Sequence, residues 1–121
     1  MNAKQQEFQE LARQRVVHCM SGEHYDIYAG RGRCPTTQTL GKWGNRYTHR
    51  PSRVPGVVVV STVEEAVAFH KREIWERLHD GTLSKELLAS LDGKVWGCWC
   101  HRPPCHAYTL AAAAAWAART L

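Results

Sequence analysis

Apolar and polar positions along the chain follow two periods, and the switches between them predict its elements. Residues 3–15 place Phe8, Leu11 and Ala12 on one side of an otherwise polar stretch, the pattern of a short surface helix. This reads as an N-terminal helical arm over residues 1–15, ahead of a single α/β domain over 16–121. Val16-Val17-His18-Cys19 is a short strand and Ser21-Gly22-Glu23 a turn. Tyr25–Ala29 alternates, with Ile27 and Ala29 on one face and Asp26 and Tyr28 on the other, as a second strand does. Val57–Val60 is an unbroken β-branched run, expected of a strand buried on both faces.

Helical spacing returns after it. Ser61 or Thr62 can cap, with Glu64 or Glu65 completing a capping box. Val63, Ala66, Val67, His70, Ile74 and Leu78 keep one apolar stripe to about His79, and Asp80-Gly81 ends it. His70 lies on that stripe and reads as a core or boundary histidine. Ser84 opens a second, short helix carrying Leu87, Leu88 and Leu91; Asp92-Gly93 turns into a strand over Val95–Cys100; a last helix runs from about His106 to Arg119. Strands alternating with helices predict an α/β fold: a small, mostly parallel sheet flanked by helices, a Rossmann-like layered domain.

Between these elements lies a polar segment, residues 34–56, rich in glycine and proline. So long a connection in a small domain is a functional loop or a disordered one, and Trp43 and Tyr47 argue against disorder. A chain of 121 residues is one domain. Its formal charge of +5 favours acidic partners such as nucleotides, nucleic acid or an acidic protein surface. Residues 1–15 lack the apolar core of a signal peptide, and no apolar run reaches the roughly 18 residues of a membrane span. The expectation is a cytoplasmic protein with no membrane partner, its five cysteines reduced, an odd number that suits free thiols better than a disulfide framework.

Three stretches carry candidate chemistry. Gly30-Arg31-Gly32-Arg33 follows a strand: the glycines let backbone approach a ligand and the arginines offer planar donors to phosphate or carboxylate. A tight turn with solvated arginines is the plainer reading. Lys42-Trp43-Gly44-Asn45 offers a ring to stack on a base or sugar and an amide to bond its edge; alternatively it is an Asn-stabilised turn pinned by a packed tryptophan. The third stretch is Cys98-Trp99-Cys100-His101-Arg102-Pro103-Pro104-Cys105-His106. On the strand, Trp96, Cys98 and Cys100 share a face. Cys105 and His106 fall at the N-terminus of the last helix, where free N–H groups and the helix dipole favour a thiolate.

That stretch supports three readings. One is a reactive or anion-anchoring centre with Cys105, His106 and Cys100 as the catalytic candidates. The second is zinc held by Cys98, Cys100, Cys105 and His101 or His106; the spacing C-x-C-x4-C-H lacks paired C-x2-C knuckles, adjacent Cys105 and His106 argue against a shared metal, and His101 is therefore the histidine chosen. The third is small buried thiols under tryptophan, the fate that best suits Cys98. Ligands of open α/β sheets sit beyond the carboxyl ends of the strands. If the strands preceding Gly30 and His101 are parallel neighbours, all three stretches meet at one cleft.

Tyr28-Ala29-Gly30-Arg31, Lys42-Trp43-Gly44-Asn45 and Gly93-Lys94-Val95-Trp96-Gly97-Cys98-Trp99-Cys100 with Cys105-His106 and Leu110 resemble, together, a family of small domains of unknown function common in phages and bacteria. The family pattern is Y-x-G-R, W-G-N-P-F, then G-K-x-L-x-C-x-C-x-P-x-x-C-H-G-x-x-L, and the resemblance spans about residues 16–110. Arg46 and Arg102 stand where the pattern has proline, and Ala107-Tyr108 where Gly-Asp follows Cys-His. The resemblance implies a site and a phage context, and it brings no activity with it. The expected function is binding of a nucleotide or nucleic-acid fragment, with Tyr28, Gly30, Arg31, Gly32, Arg33, Lys42, Trp43, Gly44 and Asn45 as ligand-binding residues, and nucleotide or base transfer or hydrolysis as the reaction class to test. The alternative is a non-enzymatic phage protein that binds a host protein, its cysteine cluster structural or zinc-binding.

Overall fold

The computed structural model describes residues 3–100 and 104–121, with side chains from residue 6 onward. The predicted N-terminal helix is α1, Ala3–Arg13. It packs against the last helix, α4, His106–Thr120, burying Ala12 to 1% exposure. Strands β1 (Val16–His18), β2 (Ile27–Tyr28) and the late β5 (Trp96–Cys98) form one parallel sheet in the order β1-β5-β2. The register sets Val16 and Ile27 beside Trp96, and Val17 and Tyr28 beside Gly97. β5 is flanked on both sides and all three of its residues are buried, which explains why it reads apolar throughout.

Neighbours in register share a face, so each side of the sheet can be read off the strands. Val16, Ile27, Ala29, Trp96 and Cys98 belong to the main core with Ala107, Leu110, Ala111 and Ala114 of α4. α4 contacts β1 and β5, while α1, α2 (Val63–Asp80) and α3 (Lys85–Ala89) pack against it. Its run of alanines is what lets it lie close: Ala113, Ala114, Ala115 and Ala117 are all buried. The opposite face carries Cys19 and Tyr28, clustered with Cys34 and backed by Tyr25. There the sheet is covered by loop, and the Tyr25 ring lies so close to Gly97 that an added Cβ would come within 2.6 Å of it.

Helix caps follow the sequence. Thr62 accepts from Glu65 N at 3.1 Å and Gly81 closes α2 with φ +84°. Ser84 caps α3, accepting from Leu87 N. His70 is buried within α2, as its place on the stripe predicts.

One strand departs from expectation. Val58–Val59, expected to be buried on both faces, is β4 and is exposed on both residues. It pairs in parallel with β3, Tyr47–Thr48, a strand not predicted within the long loop, to make a separate two-stranded ribbon. β-Branched composition signals strand preference; burial depends on what the fold lays against it, and here both valines stay solvent-exposed. The rest of the long loop is ordered locally, with an antiparallel bridge between Arg33 and Leu40.

Candidate functional site

Parallel β2 and β5 do bring the three motif stretches to one end of the sheet. β5 ends on Cys98 with Cys100 two residues beyond, β2 leads into Ala29 and the Gly30–Arg33 turn, and α4 begins with Cys105 as its N-cap and His106 as its first residue. Cys105 makes no capping hydrogen bond with its side chain. Its extended backbone, φ −152° and ψ 136°, turns it inward, where its Sγ lies 3.4 Å from Cys98 Sγ. One ligand atom each from Cys98, Cys105 and His106 falls within 4.8 Å of the others, and all three residues are buried. This trio could hold a metal ion.

The two neighbours that spacing set apart thus come together. Adjacent residues diverge on a regular helix, but Cys105 sits outside the helix and His106 inside it, so the bend between them lets both side chains reach one point. Cys100, more exposed, hydrogen-bonds to the other two sulfurs. His101, the histidine placed in the zinc set, lies outside the described residues, as do Arg102 and Pro103.

The sulfur cluster also reverses the expected acidity. Cys105 was expected to carry a lowered pKa at the helix terminus. Its pKa is instead raised, first by hydrogen bonding to Cys100, then to Cys98, and by burial. Cys98 is raised for the same leading reason. Cys100 is the sulfur pushed well below the ordinary thiol range, because Cys105 and Cys98 donate to it and because the Arg31 guanidinium adds favourable charge. Two buried thiols therefore support one exposed thiolate; in a common site the helix dipole yields to the nearer sulfurs.

His106 is held at Nε2 by the Ala29 carbonyl, which ties α4 to the end of β2. Burial lowers its pKa despite favourable backbone contacts with Ala29 and Trp43, so the ring is neutral near pH 7. A carbonyl only accepts, so Nε2 carries the hydrogen and Nδ1 the lone pair. The neighbouring His70 ring, 5.0 Å from it centroid to centroid, is likewise neutral, its pKa lowered by burial to about 3.

The remaining predicted residues are engaged in the fold to different degrees. Arg31 Nη1 donates to the Asn45 carbonyl at 2.8 Å. Gly44 lies so close to Arg31 that an added Cβ would come 2.8 Å from its Cα. Asn45 is buried; its Nδ2 donates to the Ala66 carbonyl at 3.0 Å and its Oδ1 accepts from Tyr47 N at 2.9 Å. Trp43 packs edge-on against Trp96 at 5.6 Å. The turn reading of Lys42–Asn45 describes these contacts, while Lys42 itself is exposed. Arg33 Nη1 donates to Gln38 O at 3.0 Å, and Gly32 takes a positive φ of 72° in the turn between the arginines. Tyr28 points to the other face of the sheet, its hydroxyl donating to Arg31 O and accepting from Trp99 Nε1 at 2.8 Å.

That other face holds a site the sequence reading missed. A cleft of about 580 Å³ is lined by Cys19, Tyr25, Tyr28, Cys34, Thr36 and Thr37 among others. Cys34 Sγ lies 3.2 Å from Tyr25 Oη and 3.3 Å from Thr36 Oγ1. Burial opposes ionisation of this thiol, but hydrogen bonds from Thr36, Thr37 and Tyr25 outweigh it and bring its pKa down to about 6. Cys34-Pro35-Thr36-Thr37, a cysteine followed by two hydroxyls across a proline, was the available signal.

Fold and site together define a small α/β domain with a cysteine–histidine cluster where its central parallel strand meets its last helix. The chain belongs to DUF4326, a domain-of-unknown-function family whose model matches residues 11–116. No curated protein and no solved structure gives a significant match. No helix among the described residues is long and apolar enough to cross a membrane.

Proposed function

We propose that this is a phage-encoded protein that binds a nucleotide or nucleic-acid fragment at the carboxyl edge of its β1-β5-β2 sheet. One observation carries the reading: the three motif stretches meet at that edge, where Arg31 bonds the Asn45 carbonyl, Trp43 packs on Trp96 and His106 bonds the Ala29 carbonyl. Carboxyl edges of parallel strands are where open α/β sheets present backbone and loops to ligands. Arg31 holds the two turns in place, and the exposed cations Arg33 and Lys42 meet phosphate. Cys100 is the sulfur nearest solvent.

Binding is tested by melting the full chain against mono- and dinucleotides and short oligonucleotides. A ligand at about 100 times its Kd stabilises by about 2.7 kcal/mol, a shift readily measured. The expected result is a rise in Tm that Arg33→Ala with Lys42→Ala abolishes while leaving the unliganded Tm unchanged. No shift with any nucleotide or oligonucleotide overturns the reading.

A second reading has its own observation. Asn45 has both ends of its amide bonded internally and Trp43 packs on Trp96, so neither is free to read a base. That favours a non-enzymatic protein docking a host protein, with the cysteine cluster as a structural, zinc-held staple. A nucleotide panel without effect, beside retained metal, selects this reading.

A further inference from the structure

We infer that Cys98, Cys100, Cys105 and His106 are the four ligands of a single tetrahedral zinc ion that staples the end of β5 to the start of α4. This deepens the zinc-held staple of the second reading, on which it rests, by naming its four ligands, and it does not depend on nucleotide binding. Zinc takes thiolate sulfur at about 2.3 Å and imidazole nitrogen at about 2.0–2.1 Å, so ligand atoms around it stand roughly 3.3–3.8 Å apart. The Cys105 and Cys98 sulfurs already lie 3.4 Å apart, and the His106 nitrogen completes a triangle within 4.8 Å. Cys100, the exposed sulfur two residues beyond Cys98, stands beside this trio and supplies the fourth corner from the solvent side.

The surroundings are those of a ligated histidine. A metal-bound imidazole uses one nitrogen for the ion and gives the hydrogen on the other to a carbonyl or carboxylate, which fixes its tautomer. His106 gives its Nε2 hydrogen to Ala29 O, leaving Nδ1 with the lone pair. Three thiolates with a dication and a neutral imidazole carry a net charge of −1, and Arg31 is placed to offset it. All five cysteines are free thiols, so no disulfide competes for these sulfurs. Soft sulfur with one imidazole selects zinc over magnesium or calcium, which require oxygen.

The ligand set also has a structural consequence. Its members Cys98 and Cys105 stand at the end of β5 and the start of α4, so one ion fixes both ends of the connection between them. His106, through Ala29, ties β2 to the same point. Ion binding at such a junction is folding free energy.

The test is metal content of the full chain, purified under reducing conditions with no nucleotide present and dialysed extensively. The expected result is one zinc per chain, with His101→Gln retaining it and Cys105→Ser losing it. Because Cys105 and His106 are buried and their variants can fail to fold, the more exposed Cys100 provides the second measurement. Cys100→Ser should weaken zinc by more than the roughly 10–100-fold that loss of an outer-shell partner causes. Cobalt substitution should give the spectrum of a tetrahedral site with three thiolate charge-transfer contributions in the wild type and two in Cys100→Ser. A wild-type chain that keeps no stoichiometric zinc overturns the inference. So does a Cys100→Ser chain with wild-type affinity and charge-transfer intensity, or a His101→Gln chain that loses the metal.

Discussion

The two faces of the β1-β5-β2 sheet both gather cysteines near its carboxyl end, yet their surroundings differ in kind. On the helix-covered face, Cys98 and Cys105 meet other sulfur and a neutral histidine under α4. On the loop-covered face, Cys34 meets three hydroxyl-bearing residues beside an open cleft. Thiols packed against thiols hold their protons, and one of them gives up its own for all; a thiol packed against hydroxyls finds donors that favour the anion directly. Cysteine on the two faces of one sheet thus favours a shared metal site on one side and an isolated thiolate on the other. The difference lies in what each face is covered by. A helix brings sealed apolar packing and a loop brings short polar side chains.

If the helix-covered face carries the stability of the domain, truncation there should be the most damaging change. Leu110 is fully buried against the sheet, so Leu110→Ala should destabilise by about 2–5 kcal/mol in a urea melt. Cys34→Ala on the other face removes a side chain no larger than a small hydrophobe and should lower stability by less than half as much. Equal losses would erase the energetic contrast between the faces.

Acid should strike the helix-covered face next. His70 binds its proton only near pH 3 in the fold and near 6.5 when unfolded, because burial excludes the charged ring. The unfolded state therefore holds the extra proton between those values, and stability, complete above pH 6.5, is lost as pH falls. By pH 4 the loss from this residue is about 3 kcal/mol. His70→Phe keeps a flat ring without the proton, and subtracting its stability profile from the wild type isolates the effect from any acid release of metal. Parallel profiles would show that His70 titrates normally and that the face is wetter than its burial implies.

The turn that joins the motifs should respond more weakly. Asn45→Ala leaves the Ala66 carbonyl and the Tyr47 N–H without the amide and should cost about 1–3 kcal/mol. If the residue instead served a ligand alone, stability would be unchanged and only nucleotide melting shifts would fall.

These contrasts also mark how far the sequence could be read. Caps at Thr62 and Ser84 and the stripe that buries His70 depend on near neighbours, and the order of residues displays them. The parallel pairing of β2 with β5 was reachable as a condition, because strand–helix alternation allows few topologies. The exposure of Val58 and Val59 was not, since it depends on β4 finding Tyr47–Thr48 outside the main sheet. At the site, the motif stretches announced themselves, but the direction of the Cys105 pKa did not. It is set by sulfurs five and seven residues upstream that fold back on it, a distance at which spacing conveys neither contact nor order. Asn45 had two readings because an amide that caps a turn and an amide that reads a base look alike in sequence. Only the carbonyl of Ala66, 21 positions away, separates them.

The last contrast is chemical and concerns which thiol reacts. With zinc supplied, alkylation by iodoacetamide at varied pH, mapped by peptide mass spectrometry, should show Cys34 titrating with a midpoint near 6, against about 8.5 for an ordinary cysteine. The midpoint is the right readout, because the burial of Cys34 slows every rate alike and leaves the position of the curve unchanged. Tyr25→Phe and Thr36→Val each remove a hydroxyl that bonds the sulfur and should move the midpoint upward. Chelation should change nothing at Cys34 while raising the alkylation rate of Cys100, whose thiolate character comes from its two sulfur neighbours rather than from hydroxyls. A midpoint at Cys34 that neither substitution moves would mean the hydroxyls merely fill space. The two faces would then differ in packing and not in how they hold charge.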